Sequence, residues 1–197
     1  MIAALYVATG GTYFGLEGVD PWDVPRDARL YDGPFPVVAH PPCARWSVLA
    51  YSVRARYGYE IGDDGGCFAH ALATVRKFGG VLEHPARSIA FGRFHLGRPA
   101  PWCWQRNIWG DWITQVSQTA YGHRAQKRTW LVWCSPDGKE PPDLDWTEYP
   151  ATHQISYGKS EDGTYWLPPL GKVESKATPI PFRDLLLSLA RGARCRS

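Results

Sequence analysis

The sequence predicts a single α/β domain, residues 1–197, built around a mostly parallel β-sheet. A chain of 197 residues is long enough for one domain with a sizeable core and short for two. Apolar residues make up 44% of the chain and charged residues 21%, which is the balance of an ordinary globular protein. The first half of the chain also reads as strand, helix, strand, an order that makes the flanking strands parallel.

Two apolar runs near the N-terminus predict the first two strands. Residues 2–11, IAALYVATGG, begin as a buried strand that breaks into glycines. Residues 35–40, FPVVAH, form the second strand, which ends at a Pro-Pro pair because proline cannot donate a ladder hydrogen bond. The stretch between them is polar and rich in Pro, Gly and Asp, which predicts turns.

Residues 64–78 carry the clearest helical pattern. Asp63 or Asp64 is placed to cap the first turn, and a Gly-Gly pair ends the helix. Residues 81–85, VLEHP, then read as a buried strand, which completes a βαβ unit. The apolar stripe of the helix consists of Phe68, Ala71, Leu72, Val75 and Phe78.

The second half of the chain predicts two more strands and a final helix. Residues 112–120 and 129–134 are the strands, and they flank the basic turn YGHRAQKR at 121–128. Residues 135–181 are rich in Pro, Gly, Asp and Lys with little periodicity, so loops with short strands are expected. A C-terminal helix is predicted over 181–194, because a proline at its start suits the first turn.

The composition argues against a membrane protein and against a disulfide scaffold. No stretch approaches the ~20 apolar residues that a bilayer-spanning helix requires, and the N-terminus lacks a basic region followed by an apolar one. We therefore expect a cytoplasmic protein without a membrane partner. The five cysteines are odd in number and lack a C-x-x-C pair, so no metal site is predicted, although a zinc ion held by distant Cys and His residues stays open.

The net charge of +3 is unevenly distributed. Residues 84–133 contain seven Lys or Arg residues and one acid, Asp111, so this segment is strongly basic and the rest of the chain is acidic. A basic patch confined to one region is typical of surfaces that bind phosphate backbones. Solvated faces without a partner show the same pattern, so charge indicates nucleic acid only together with other features.

Reactive residues follow three of the predicted strands, at the point where each strand ends. A Thr-Gly-Gly turn at 9–11 follows the first strand, Cys43 follows the second, and Glu83 ends the strand after the helix. Ligands of an open parallel sheet gather at the carboxyl ends of its strands, so we expect these residues to share one rim. A thiol nucleophile, a carboxylate and a basic turn suit attack on a ring that is hydrogen-bonded as it is attacked.

These residues resemble the DNA cytosine-5 methyltransferases. The segment 37–47, VVAHPPCARWS, looks like the Pro-Pro-Cys motif of that family, whose cysteine adds to C6 of a flipped cytosine. Glu83 resembles the family's Glu-Asn-Val glutamate, which holds the N3/N4 edge of the base. The resemblance implies a Rossmann-like methyltransferase-type fold in which Cys43 is the covalent nucleophile and DNA is the partner.

Two further segments are similar to the same family. Residues 118–132 resemble its Tyr-Gly…Gln-x-Arg-x-Arg segment, which implies anion and base contacts from Lys127, with Arg124 and Arg128 as alternative contributors. Residues 5–16 resemble the opening Phe-x-Gly-x-Gly loop, which lies beside S-adenosylmethionine. The cofactor contacts that the resemblance implies are Thr9, Gly10, Gly11 and Asp27.

The chain also departs from the family pattern. His40 replaces the glycine before the Pro-Pro-Cys motif, and only about 30 residues separate the glycine turn from Cys43. That spacing predicts no second strand to deliver an acid to the cofactor ribose, and the chain lacks room for a separate target-recognition domain. In this it is similar to the small methyltransferase-like proteins that bacteriophages encode, which would place it in a bacterial host cell. The acids left for the ribose are Glu17, Asp20 and Asp23.

A tryptophan cluster, PWCWQRNIWGDW at residues 101–112, predicts either a satellite core or a nucleic-acid surface. Exposed indoles stack on unpaired bases, and flanking arginines supply phosphate contacts. A base-modifying enzyme must extrude its target or take it from a single strand, so this cluster would replace the missing recognition domain. The residues expected to contact nucleic acid are Trp102, Trp104, Arg98, Arg106 and His123.

The function expected from the sequence is modification of cytosine in DNA through covalent attack by Cys43, with S-adenosylmethionine as methyl donor. Two alternatives stay open. The same cysteine can serve an S-adenosylmethionine-independent modification or a deamination, because addition at C6 makes C5 nucleophilic and C4 easier to hydrolyse. The chain can instead be a non-catalytic nucleic-acid-binding protein on this fold.

Overall fold

A computed structural model describes residues 1–155 and 166–193 of the chain. Its architecture is α/β, with a seven-stranded sheet in the described part. The strands are β1 (Ile2–Leu5), β2 (Val19–Trp22), β3 (Val37–Ala39), β4 (Gly80–Pro85), β5 (Gln105–Arg106), β6 (Trp112–Ser117) and β7 (Arg128–Cys134). The helices are α1 (Ala50–Tyr57), α2 (Cys67–Phe78), α3 (Ile89–Arg93), α4 (Lys172–Lys176) and α5 (Ile180–Gly192).

The strand order of the sheet is β2-β1-β3-β4-β7-β6-β5. β1 pairs in parallel with β2 and β3, and β3 pairs in parallel with β4. The other pairings, β4 with β7, β7 with β6 and β6 with β5, are antiparallel. The sheet is therefore mixed, which corrects the prediction of a mostly parallel one. A short connection between β6 and β7 turns the chain back as a hairpin, and β7 then inserts beside β4.

The core lies on both faces of this sheet. On one face, α2 buries Phe68 and Val75 against inward residues of the strands such as Leu82. On the other face, α5 buries Phe182 and Leu186 against the alternate strand residues. The central strands are covered on both sides, which explains why they read in the sequence as unbroken apolar runs.

The structure confirms the predicted strands at β1, β3, β4, β6 and β7 and the predicted helix at α2. It also confirms a helix starting near residue 181, since α5 begins at Ile180; the predicted last residue, 194, lies outside the described residues. None of the described helices combines the length and the apolar character that crossing a bilayer requires.

Two strands were not predicted, the two-residue β5 within the tryptophan cluster and β2 near the N-terminus. β2 lies in the stretch that predicts turns, where it pairs along its whole length with β1. All four of its residues are only half-buried, and it contains Pro21, which an edge strand tolerates because one of its sides forms no ladder. Such a strand has neither an apolar run nor an alternating pattern, so the sequence carries no signal for it.

Candidate active site

The carboxyl ends of β1, β3 and β4 meet at a point where the order of the strands reverses. From β1 the chain passes first to β2 on one side and then to β3 on the other. Doubly wound sheets bind their ligands at such a reversal, because the loops that follow the two strands run in opposite directions. The turn that contains Cys43 follows β3, and Glu83 lies near the end of the adjacent β4.

Cys43 is an exposed residue with a free thiol at this rim. Loss of water around the sulfur and the carboxylate of Glu83 both raise the pKa of the thiol, while the positive charges of Lys127 and Lys176 lower it. The net shift is upward, so the thiol is protonated at neutral pH. Cys43 and Glu83 are therefore close enough to influence each other, as the strand ends predict.

Glu83 belongs to a hydrogen-bonded chain of three side chains. His40 Nδ1 lies 3.0 Å from Glu83 Oε2, and Tyr13 Oη lies 2.8 Å from His40 Nε2. Desolvation opposes the ionisation of Glu83, but the His40 hydrogen bond and the charges of His40 and Lys127 outweigh it and lower the pKa of the carboxyl.

An ionised Glu83 can only accept a hydrogen bond, and this fixes the protonation of the histidine. Nδ1 of His40 therefore carries a proton that it donates to Glu83, and Nε2 lies within hydrogen-bond distance of the Tyr13 hydroxyl. The Tyr13 side chain is buried, and those of His40 and Glu83 are only 14% and 13% exposed. One carboxylate oxygen, Oε2, is held by this chain, which leaves Oε1 for a ligand.

Lys127 completes the site from the hairpin between β6 and β7. Desolvation lowers the pKa of its ammonium, and the negative charges of Glu83 and Cys43 act in the opposite direction. Its Nζ also donates to the carbonyl oxygen of Ala177, 3.2 Å away, which ties the hairpin to the segment after α4. We call Tyr13, His40, Cys43, Glu83 and Lys127 the Cys43 site.

His84 lies behind the rim with its side chain almost fully buried. Burial lowers the pKa of its imidazole to about 4, so the ring is neutral at physiological pH. Its ring stands edge-on to Phe68, with centroids 5.2 Å apart, and neither nitrogen makes a hydrogen bond of good geometry within the described residues. His84 thus fills the core beneath the Cys43 turn and carries no proton to the site.

The two arginines predicted beside Lys127 are paired with carboxylates instead. Arg124 makes two hydrogen bonds of 2.6 Å to Glu174 of α4. Arg128 binds Glu148 at 3.1 Å and 3.2 Å. Both guanidinium groups are thus held by carboxylates of the chain, and their expected contacts to a base stay a prediction. Lys127 is the cation of this turn whose charge acts on the Cys43 thiol.

The residues expected to hold a cofactor lie in the loops after β1 and β2. β2 supplies the second strand that the spacing did not predict, and Asp23 follows it directly. The Thr9 hydroxyl donates to Asp23 Oδ2 at 2.8 Å, and the backbone N–H of Arg26 donates to Oδ1 at 3.3 Å. Asp23 is buried, so its carboxylate forms hydrogen bonds within the chain rather than with a ligand.

The other predicted cofactor contacts differ in their surroundings. Asp27 caps a 3₁₀ turn and accepts three hydrogen bonds from Arg29, so its carboxylate is also engaged. Gly10 has a φ of +65° and open space where a Cβ would lie. A Cβ on Gly11 would lie 2.8 Å from the carbonyl oxygen of Ala8. Glycine is therefore required here by the tight turn of the backbone rather than by space for a ligand.

The residues expected to contact nucleic acid are divided between surface and core. Trp102, Arg98 and Arg106 are exposed. Trp104 instead packs against Trp146, with ring centroids 6.5 Å apart, and its indole N–H donates to the carbonyl oxygen of Pro142. This placement favours the satellite-core interpretation for Trp104.

The structure also differs from the prediction for His123, which was expected on the nucleic-acid surface. Its side chain is buried, and its Nδ1 is engaged with the backbone of Ala125. Burial lowers the pKa of the imidazole, so the ring is neutral and presents no charge to a phosphate. The basic turn therefore folds this histidine inward, and His123 is not part of an accessible surface.

Tyr13 of the Cys43 site and Lys176, whose charge acts on the Cys43 thiol from outside the site, have no signal in the sequence. Tyr13 lies in a segment of turns, and Lys176 lies in the segment that predicts loops. His40 is visible only as a departure from the Pro-Pro-Cys pattern.

Within residues 1–155 and 166–193, no group of three His, Cys, Asp or Glu side chains is placed to hold a metal ion. Comparisons of the chain with protein-family models, curated proteins and solved structures found no match.

Proposed function

We propose that the protein modifies a cytosine base in DNA through a covalent bond between the Cys43 sulfur and C6 of the ring. The observation that carries the proposal is the placement of the three residues on neighbouring strands: Cys43 follows β3, Glu83 lies near the end of the adjacent β4, and Lys127 directly precedes β7, which pairs with β4. A nucleophile, an acceptor for the base edge and a cation are the groups that such an addition requires.

The step balances without an oxidant or a reductant. The Cys43 thiol loses its proton to solvent, and the sulfur electron pair forms the bond to C6. The electrons of the C5=C6 bond move onto C5 and the N3–C2–O2 system, where the Lys127 ammonium stabilises the developing charge. Glu83 Oε1 accepts a hydrogen bond from the exocyclic amine. C5 then forms a bond to an electrophilic one-carbon donor, whose leaving group departs with the electron pair of the bond that breaks. Loss of the C5 proton to solvent and cleavage of the C6–S bond restore the C5=C6 double bond and return the thiolate.

The Tyr13–His40 pair positions the carboxylate in this scheme. By donating Nδ1–H to Oε2, His40 keeps Glu83 ionised and fixes the direction of the free oxygen. A protonated Glu83 would present a donor to the amine of cytosine, which is itself a donor. The hydrogen-bonded chain therefore selects for a base whose edge donates at that position.

S-adenosylmethionine is the methyl donor that the resemblance implies, and most of the acids expected to hold it are engaged within the chain. Arg26 and Trp22 hold Asp20, and only Glu17 is exposed without a partner in the described part of the chain. Asp23 is buried and accepts from Thr9 and the Arg26 backbone, and Asp27 is held by Arg29. Neither carboxylate is free for the ribose hydroxyls or the adenine. We therefore derive no step through this cofactor.

The first prediction concerns the nucleophile. Incubation of DNA with the protein, with and without S-adenosylmethionine, should yield a modified pyrimidine nucleoside that mass spectrometry detects after digestion. Cys43→Ala should reduce this product by at least about a thousandfold, because the covalent step is lost. Cys103→Ala, which removes another exposed thiol, should retain full activity. Undiminished product from a folded Cys43→Ala protein would overturn the proposal.

A second candidate function is hydrolytic deamination of cytosine. The internally paired carboxylates of Asp23 and Asp27 favour it, because it requires no group donor. Water adds to C4 of the Cys43 adduct, ammonia leaves, and cleavage of the C6–S bond gives uracil. In the same experiment uracil would form whether or not S-adenosylmethionine is present, whereas a methylated base requires the donor.

A further inference from the structure

The seven cations of the basic segment 84–133 differ in whether they have an acidic partner. Arg124 and Arg128 pair with Glu174 and Glu148, and Lys127 belongs to the Cys43 site. The one acid of the segment, Asp111, forms an ion pair with Arg76, which lies outside the segment. Four arginines remain exposed without a carboxylate partner in the described part of the chain. These are Arg87, Arg93, Arg98 and Arg106, which we call the arginine track.

The arginine track begins beside the Cys43 site. Arg87 follows β4 four residues after Glu83, next to Ala86, whose N–H donates to the carbonyl oxygen of Arg128. Arg93 ends α3, which packs Ala90 and Phe91 into the core. The chain thus carries the arginines from the carboxyl rim of the sheet towards its β5 edge.

The track ends in an open cavity of about 530 Å³. Its apolar surface comes from Phe91, Leu96 and Ile113, which also belong to the core. Arg98 and Arg106 both line it, and no carboxylate does. An apolar surface between two guanidinium groups suits a flat base with phosphates on either side.

One exposed indole is hydrogen-bonded to a residue that lines this cavity, and a second one, that of Trp102, lies in the same tryptophan-rich segment of the chain. Trp109 is 59% exposed, and its indole N–H donates to the carbonyl oxygen of His95, which lines the cavity. Trp102 is 62% exposed. Because Trp109 is held by the backbone and yet open to solvent, it offers a stacking surface at little cost in conformational entropy.

One small ligand cannot contact both the cavity and Cys43. β5 lies four strand positions from β3, which at about 4.8 Å per strand corresponds to roughly 19 Å across the sheet. A ligand that contacts both must be a polymer that follows the surface between them.

We propose that the arginine track and its cavity bind single-stranded DNA. The phosphates lie along the four arginines, and one unpaired base occupies the cavity while a base further along the strand reaches the Cys43 site. Paired bases cannot enter such a cavity, which favours a single strand over a duplex. The position of the second base rests on the proposed function; binding at the track does not.

The test is fluorescence anisotropy with a labelled single-stranded DNA oligonucleotide, the same sequence as a duplex, and an abasic strand of equal length. Arg98→Gln combined with Arg106→Gln should weaken binding of the single strand by roughly tenfold at low salt. Its log–log salt slope should fall by about 1.4, the value for two lost phosphate contacts. The abasic strand should bind the unaltered protein several-fold more weakly, because the cavity loses its base.

The matched control removes two cations near the end of α5. Arg191→Gln combined with Lys139→Gln makes the same change in charge and should leave the affinity within about twofold. Equal weakening by both pairs of substitutions, or a duplex that binds as tightly as the single strand, would overturn the proposal.

A separate comparison distinguishes this proposal from the proposed function. Cys43→Ala should bind the strand as the unaltered protein does. Track-dependent binding without any modified nucleoside would refute only the covalent chemistry. Product formation that is unaffected by the Arg98 and Arg106 substitutions, together with unchanged binding, would refute only the track.

Discussion

At the scale of single residues, desolvation of the sulfur and two opposite charges shift the pKa of the Cys43 thiol. Glu83 raises the pKa of the thiol, and Lys127 lowers it. Because desolvation and Glu83 outweigh the lysines, only a small fraction of the thiol is ionised at neutral pH. The reactive thiolate should therefore increase as the pH rises through the alkaline range.

Alkylation by iodoacetamide measures this balance directly. Lys127→Gln removes a cation, so the pKa of Cys43 should rise further and labelling at pH 8 should slow by about threefold to tenfold. Glu83→Gln removes an anion and should accelerate labelling by a similar factor. Peptide mass spectrometry assigns the modified cysteine, and Cys103 in the same digest should label at an unchanged rate. If both substitutions changed the labelling rate in the same direction, the opposite effects of Glu83 and Lys127 on the pKa of Cys43 would be contradicted.

At the scale of elements, the Cys43 turn is tied to the start of α2 by Asp64. Its Oδ2 accepts from the backbone N–H of Phe68 and from the indole N–H of Trp46, both at 2.8 Å. Its Oδ1 accepts from the backbone N–H of Gly66 at 3.0 Å. One carboxylate therefore accepts from two backbone N–H groups at the start of α2 and holds Trp46, which follows Cys43 by three positions.

Asp64→Ala should destabilise the protein by about 1–3 kcal/mol, because two helix N–H groups and an indole N–H lose their acceptor. Urea unfolding followed by circular dichroism gives this free energy of unfolding. Hydrogen exchange should also quicken in peptides that cover residues 40–50. The neighbouring Asp63→Ala is the control: its side chain is exposed, so neither measurement should change. Equal effects of both substitutions would rule out the capping role.

At the scale of the whole molecule, an ion pair joins the parallel and antiparallel parts of the fold. Arg76 of α2, which packs on β3 and β4, makes hydrogen bonds of 3.1 Å and 2.7 Å to Asp111 just before β6. Asn107 and Cys134 also donate to this buried carboxylate. Burial alone would raise the pKa of Asp111, but these partners outweigh it and lower it.

Arg76→Leu should lower the free energy of unfolding by about 2–4 kcal/mol, since it leaves a buried carboxylate without its cation. The pH dependence follows from the lowered pKa in the folded state. The stabilisation is present above the usual carboxyl range and is lost as the pH falls through the folded-state pKa. In Asp111→Asn, unfolding free energies measured between about pH 5 and 2 should therefore fall less steeply than in the unaltered protein. Parallel slopes would exclude this role for Asp111.

The sequence predicts the parts of the fold and the site that follow from local pattern. Cys43 and Glu83 are found because each ends a buried strand, and such ends meet at one rim. The hydrogen bond between Tyr13 and His40 joins residues 27 positions apart, which leaves no periodic or motif-level trace. Lys176 likewise reaches the site only because a turn of helix forms within a loop-rich segment. Long-range placement of polar side chains is thus where prediction from this sequence ends.

The position of β7 has a consequence for how the protein matures. β7 is the last of the described strands to be synthesised, yet it lies in the interior of the sheet between β4 and β6. Until it emerges from the ribosome, β4 has an open edge, and Lys127, one residue before β7, is absent from the rim. A nascent chain therefore exposes Cys43 without the cation that favours its thiolate. The cation reaches Cys43 only when translation has supplied the strand that fills the gap between β4 and β6.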